Sequence, residues 1–302
     1  MFALMSDRIC DLMPQGGSQC FPLYEYIEDK NKKKFERRDN ITPKARTLFQ
    51  IFYDDDTITA ADIFHYVYAV LHHPAYRTRF AENLKRDLPC IPFIGISERR
   101  SPTRLVGKDA KHAGSETGAP SFFPLAAVET MQGDNKPAHH PKASAKLFHE
   151  FAVAGKKLAD LHVNYESAKE FKLQRIENKE VKLDWRVEAM KLIGRRRGDE
   201  TLTKKDQSLL TSSPTVDLYY NDFLTLSGIP PEVFDYKLGN RSALEWVIDQ
   251  YRVTRDEKGI IASDPNRTDD EEYIVRLIGQ VITVSLETMK VVEELPRIIP
   301  EP

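Results

Sequence analysis

Apolar positions recur at helical spacing in five stretches of the chain and alternate with polar ones in several shorter stretches. Thr59-Ala-Ala-Asp62 has the form of a capping box, with the Thr59 hydroxyl accepting an early backbone N–H. Ile63, Val67, Val70 and Leu71 then share one helical face. Pro74 ends that helix and suits the first turn of the next. Tyr76, Phe80 and Leu84 give the second helix its apolar side, and Pro89 and Pro92 close it. The pair predicts a compact helical hairpin. From Lys146, the residues Leu147, Phe151, Ala154, Leu158 and Leu161 recur at steps of four and three, an amphipathic helix. Ser242-Ala-Leu-Glu245 is a second capping box, followed by Leu244, Val247, Ile248 and Tyr251. Ile274, Ile278, Val281, Ser285, Met289 and Val292 form the core stripe of a long last helix stopped by Pro296.

Cys20 to Ile27 is aromatic-rich and follows Gly16-Gly17, which predicts a short buried strand. The charge run from Asp29 to Arg38 reads as a solvated loop. Val181 to Trp185 and Val216 to Tyr220 alternate β-branched or aromatic residues with polar ones, as strands do. Ser227-Gly-Ile-Pro230 signals a turn and Asp264-Pro-Asn266 a loop. Ser97 to Ala145 has no period and is too long for an ordinary connection, so it reads as an inserted linker with a short ordered island at Ser121 to Met131. The expected fold is α+β: a helical hairpin with a short strand, then a small mixed sheet with flanking helices and a long C-terminal helix. The lobes are 1–96 and 146–302, joined by the insertion 97–145. No internal repeat is visible.

Composition narrows the class. The 302 residues are 41% hydrophobic and 30% charged, enough to bury a real core. Lys and Arg total 44 against 46 Asp and Glu, so bulk charge binds no polyanion, and any nucleic-acid contact needs a local patch. Cys10, Cys20 and Cys90 are odd in number and widely spaced, which argues against a disulfide framework or zinc ribbon and fits a reducing cytoplasm. Met1 to Met5 is too short for a signal peptide, and no apolar run approaches the roughly 18 residues of a membrane span.

Catalytic signatures are missing. There is no GxGxxG, no GxxxxGK[ST] and no GxSxG. His65 and His72 are seven apart on one helix face with no third ligand nominated, so packing or surface roles are the better reading. His149-Glu150 lacks the second histidine of a zinc helix. Glu180-Val-Lys182 and Glu170-Phe-Lys172 match half of a nuclease motif, a tripeptide common by chance in so charged a chain. Asp54-Asp-Asp56 reads as an acidic turn before a helix. The positive signal is basic: Lys191, Arg195, Arg196, Arg197, Lys204 and Lys205 crowd one short stretch, opposed only by Asp199 and Glu200, with Tyr219, Tyr220 and Asn221 close behind. Lys and Arg neutralise phosphates, and Arg and Asn read base edges bidentately. A solvated basic loop has the same composition.

Several segments in the same order resemble the C-terminal part of Type ISP restriction–modification enzymes and their adenine-specific methyltransferase relatives. They are Gln19-Cys-Phe-Pro-Leu-Tyr24, the stretch from Asp62 to His72 continuing to Phe93, Ala154-Gly-Lys-Lys-Leu-Ala-Asp-Leu-His162 with Asn164-Tyr165-Glu166, Leu226-Ser-Gly-Ile-Pro230, Ser242-Ala-Leu-Glu-Trp246, and Val281 to Met289. In that family one polypeptide carries a nuclease, an ATP-driven translocase, an N6-adenine methyltransferase and a C-terminal target-recognition region. This chain resembles only the last. The resemblance implies recognition of double-stranded DNA for bacterial defence, beside a methyltransferase and translocase region that would hold S-adenosylmethionine, ATP and Mg²⁺. The methyltransferase Asn-Pro-Pro-Tyr motif is absent, so the chain is expected to be a C-terminal fragment without cofactor or catalytic residue of its own. The insertion 97–145 departs from the family pattern. The residues expected on DNA are Arg195, Arg196, Arg197, Lys204, Lys205 and Asn221, chosen by chemistry and position. Two alternatives remain: an element that docks on a split methyltransferase without touching DNA, and a Mg²⁺-dependent nuclease built on Glu180 and Lys182.

Overall fold

A computed structural model describes residues 3–8, 19–29, 34–94, 142–193 and 215–297. The chain divides into two compact units: residues 6–159 with 294–302, and residues 160–293. The ordered island expected at 121–131 and the rest of the insertion up to 141 lie outside the described residues. No helix among the described residues is long and apolar enough to cross a membrane.

Among the described residues the first unit is helical apart from one hairpin, β1 (Tyr24–Asp29) with β2 (Lys34–Asp39), paired antiparallel from Tyr24↔Asp39 to Asp29↔Lys34. This corrects two expectations. The strand, Tyr24–Asp29, is mostly exposed rather than buried, and Lys34–Arg38 of the charge run belong to its partner strand, while residues 30–33 lie outside the described residues. Both faces of the ribbon stay open to water, so a charge-rich stretch still pairs. Helix α1 (Pro43–Tyr53) was not expected. Its signal is the start: the Thr42 hydroxyl accepts from Ala45 N with Pro43 in the first turn, and Asp54 ends it in the left-handed region at φ 52°. α2 (Ala60–His72) carries the capping box in full: Asp62 N donates to Thr59 Oγ1 at 3.2 Å and Thr59 N to Asp62 Oδ2 at 2.9 Å. α3 (Pro74–Arg79) is shorter than the pattern suggests; it stops at Phe80, and Leu84 sits in a separate 3₁₀ turn. α4 (Lys142–Val163) starts a turn earlier than Lys146 and runs through the boundary between the units.

Rings fill the first core. Phe148 of α4 stacks on Tyr66 at 4.9 Å and lies 5.7 Å from Phe49, while Phe52 stacks on Phe93 at 4.3 Å. Three tyrosines in this core turn their hydroxyls to the segment after α3. Tyr66 Oη donates to Pro92 O, Tyr76 Oη donates to Cys90 O at 2.9 Å, and Tyr53 Oη accepts from Ile94 N at 3.1 Å. Proline-rich and unladdered, residues 90–94 have their backbone groups satisfied by side chains instead. Burial pushes the Tyr76 phenol up to about 12 and those of Tyr53 and Tyr66 higher still. Helices α2 and α4 approach closely because residue 155 is glycine: a β-carbon there would lie 1.8 Å from the His65 carbonyl oxygen. The chain returns after the second unit to place Leu295 in this core, and His73 bonds Pro296 O through Nε2 at 3.1 Å.

The second unit is a four-stranded antiparallel sheet, ordered β3 (Gln174–Glu177), β6 (Leu224–Ile229), β5 (Val216–Tyr219), β4 (Lys191–Ile193). Every ladder is antiparallel, not mixed. Val216, Leu218, Leu224, Leu226 and Ile229 point to one side, against Ile274, Leu277, Ile278 and Ile282 of the last helix, α6 (Tyr273–Glu293). Helix α5 (Ala243–Gln250) carries the second capping box, Ser242 with Glu245. Two tiny hairpins complete the unit: β7 (Lys237–Leu238) with β8 (Arg241–Ser242), and β9 (Thr254–Arg255) with β10 (Ile261–Ser263). Ser227-Gly-Ile-Pro230 is not a turn. Gly228 sits at φ 95° inside β6, where the register slips between Val216 and Leu218, a β-bulge. Asp217 Oδ1 holds the bulge by accepting from Ser227 Oγ at 2.6 Å and Gly228 N at 3.3 Å.

Candidate nucleic-acid interface

The sheet decides where the basic stretch leaves the fold. β4 is an edge strand with only β5 as neighbour, and the two pair as Lys191↔Tyr219, Leu192↔Leu218 and Ile193↔Asp217. Residues 194–214, with Arg195, Arg196, Arg197, Lys204 and Lys205, lie outside the described residues. Their two ends are neighbours, because Ile193 and Asp217 are partners. The basic stretch is therefore the connection of an antiparallel hairpin at the sheet edge. Leu192 packs on the core while Lys191 and Ile193 stay exposed.

Val181 to Trp185 was expected to be a strand and is not one. Side chains from the end of β5 hold it in place of a ladder. Tyr220 Oη donates to Trp185 O at 2.8 Å. Asn221 Nδ2 donates to Asp184 O at 2.9 Å and Arg186 O at 2.8 Å, and its Oδ1 accepts from Phe223 N at 3.0 Å and Leu224 N at 2.8 Å. Both hydrogens and both lone pairs of the amide are used. Asn221 thus ties the β5–β6 turn to the segment leading into β4 and has no donor left for a base edge. The signal was in the sequence: Asn-Asp between two strands marks a turn in which the side chain bonds its own backbone two residues on.

Several other cations of this unit are already paired. Arg175 reaches Glu272 at 2.8 Å, Arg186 reaches Asp264 at 2.6 Å, and Arg255 reaches Glu188 at 3.1 Å. The Arg186 guanidinium, aided by the amide groups of Asn266, holds the Asp264 carboxyl down at about 2. An open depression lined by Trp185, Asp269, Asp270, Glu272 and Arg276 is acid-rich, the wrong sign for phosphate. Glu180 and Lys182 are exposed on unladdered chain, and no cluster of three metal-ligating side chains exists among the described residues.

The histidines have structural partners. His72 is buried with Nδ1 2.8 Å from Tyr68 O, and burial lowers it to about 4. His73 Nδ1 caps α3 by accepting from Ala75 N. His162 Nε2 lies 2.9 Å from Thr288 Oγ1 and 3.1 Å from Tyr236 Oη. His149 pairs with Asp55 at 2.7 Å, and Asp55 is held at about 2 by the Thr57 hydroxyl, then His149 and the Thr57 amide.

The sequence thus places a long cationic run directly after the edge strand of a small antiparallel sheet. The Type ISP C-terminal specificity domain profile matches residues 1–100 and 142–277, and the chain belongs to that family. Residues 101–141 are left unmatched. No curated protein matches the chain. Among solved structures it is similar to the ATP-dependent Type ISP restriction-modification enzyme LlaBIII bound to DNA, at 25% identity and a TM-score of 0.61, over 95% of this chain and 14% of that one. It is similar to a nuclease-deletion mutant of the Type ISP enzyme LlaGI in complex with a DNA substrate mimic, at 27% identity and 0.53, over 92% and 18%. The DrdV–DNA complex gives 29% identity and 0.63, over 97% and 23%. The chain spans less than a quarter of each of these proteins.

Proposed function

We propose that this chain recognises the target sequence in double-stranded DNA for a restriction–modification adenine methyltransferase. The observation that carries the reading is the origin of the cationic run at a paired sheet edge in a specificity-domain fold. Related chains of that fold were solved on DNA. Arg195, Arg196, Arg197, Lys204 and Lys205 supply phosphate contacts and a few base contacts from this connection. Asn221 contributes by holding the turn behind it. Chemistry belongs to another region of the enzyme, which carries S-adenosylmethionine, ATP and Mg²⁺ and flips the adenine out of the stack, since its N6 is not reachable inside a duplex. The cytoplasm, where host DNA lies, is the compartment this role requires.

Mobility retardation tests the reading. The chain should retard duplex DNA at low salt, with affinity falling steeply as salt rises, because bound phosphates release counterions. Arg196→Ala should cost about 1–3 kcal/mol on the preferred sequence if Arg196 reads a guanine. It should weaken all duplexes alike and flatten the salt slope if Arg196 meets phosphate. No retardation of any duplex would overturn the proposal, and an unchanged affinity and slope in the variant would move the interface elsewhere.

A further inference from the structure

The β1–β2 hairpin belongs to neither hydrophobic core: among the described residues no side chain of either strand enters one. It is fixed at its base, where Asn40 N donates to Leu23 O at 2.9 Å and Asn40 Nδ2 to Pro22 O at 2.8 Å. Its register sorts the side chains by face. Glu25↔Arg38 and Ile27↔Glu36 lie on one side, an opposite-charge pair and a half-apolar one that water solvates well. Tyr24↔Asp39, Tyr26↔Arg37 and Glu28↔Phe35 lie on the other. There Arg37 stacks over the Tyr24 ring at 4.4 Å, while Tyr26 is 65% and Phe35 71% exposed. The sheet has only these two strands, so both of its outer edges are unpaired among the described residues. A lone two-stranded hairpin is at best marginally stable in water. Exposed rings beside unpaired edges form a surface that normally meets another protein.

We infer that this aromatic face is the seat of the rest of the enzyme: it docks an apolar protein surface of the catalytic region with which a Type ISP specificity domain works. Chain length argues for that occupant. The relatives continue for more than three quarters of their length beyond the part this chain matches, so a large protein surface belongs beside it. Charge argues against DNA on this face. Glu28 and Asp39 flank the rings, and Arg37 is already stacked on Tyr24. The inference rests on the family reading of the preceding subsection and adds a second surface, in the other unit from the basic connection.

The test uses the full chain with Tyr26→Ser and Phe35→Ser together, co-expressed with a methyltransferase-bearing polypeptide of a Type ISP enzyme that lacks its own C-terminal specificity domain. Wild type should co-elute with that polypeptide in size-exclusion chromatography, and the double variant should lose at least tenfold in affinity by titration calorimetry. Both residues are exposed, so the melting temperature of the free variant should match wild type, and its retardation of duplex DNA should too. Co-elution and affinity unchanged in the variant would overturn the inference, as would wild type failing to co-elute. Concentration-dependent self-association abolished by the variant would overturn it in favour of a second copy of this chain, and loss of DNA retardation in favour of nucleic acid. Failure of the DNA proposal reads out differently, as no retardation by wild type with co-elution intact.

Discussion

The two units solve the burial problem with different materials. The first packs rings between helices, and its buried tyrosines use their hydroxyls to pin an irregular proline-rich segment. The second packs aliphatic side chains of a sheet against one long helix, and polar side chains, Asn221 and Asp217, hold its turn and its bulge. Aromatic helices demand close backbone approach and tolerate little change of shape, whereas a sheet absorbs irregularity locally through a bulge. The unit with the rigid core presents the aromatic hairpin, and the unit with the sheet presents the cationic connection.

Gly155→Ala should strike the first unit hardest. The new methyl would meet the His65 carbonyl at 1.8 Å, backbone against backbone, so a cost of about 3 kcal/mol is expected, at the top of the usual overpacking range. Gly279→Ala in the second unit places its methyl 3.2 Å from Phe171 O and should cost far less. Thermal unfolding of the two variants gives the contrast, and equal losses would break it.

Acid should then find the first unit through His72. Its folded pKa is depressed to about 4 from 6.5, so between those values the unfolded chain takes up a proton that the folded chain refuses. Stability is full above pH 6.5 and declines as pH falls toward 4, by about 3 kcal/mol for this one side chain. His73, also lowered by burial, adds in the same direction. Denaturant melts of wild type and His72→Gln across this window should converge as pH falls.

In the second unit Asn221→Ala removes four hydrogen bonds and leaves backbone carbonyls and amides of half-buried chain unmet, a loss of about 2 kcal/mol. DNA affinity should drop similarly for every sequence; a change of preferred sequence would instead make Asn221 a reader. Gly228→Ala should cost least, about 1 kcal/mol, because a β-carbon there meets nothing within 4 Å and the penalty is only the left-handed backbone. Chemical denaturation resolves a difference of that size, and no change would mean the bulge relaxes.

Helices with a local signal were legible: α2 and α5 begin at their capping boxes and α6 faces the core along its apolar stripe, because capping and 3.6-residue spacing act within a few positions. α1 escaped although Thr42-Pro43 announces it, since its stripe Leu48, Phe49, Phe52 and Tyr53 lies only in its second half. The basic run was visible as composition, but that it follows an edge strand was not, because that depends on β4 pairing with β5. Family membership was legible through the order of its segments.

What the sequence determined by itself was local and periodic: which stretches coil, where they are capped, and where charge is concentrated. Only tertiary structure decided that Lys34–Asp39 is the exposed partner of an aromatic strand and that Val181–Trp185 is held by tyrosine and asparagine side chains. It also decided that Ser227–Pro230 is a bulge inside a strand. In each case the backbone partner comes from a remote or register-dependent position, and hydrogen-bond pairing across such distances leaves no mark in the order of neighbouring residues.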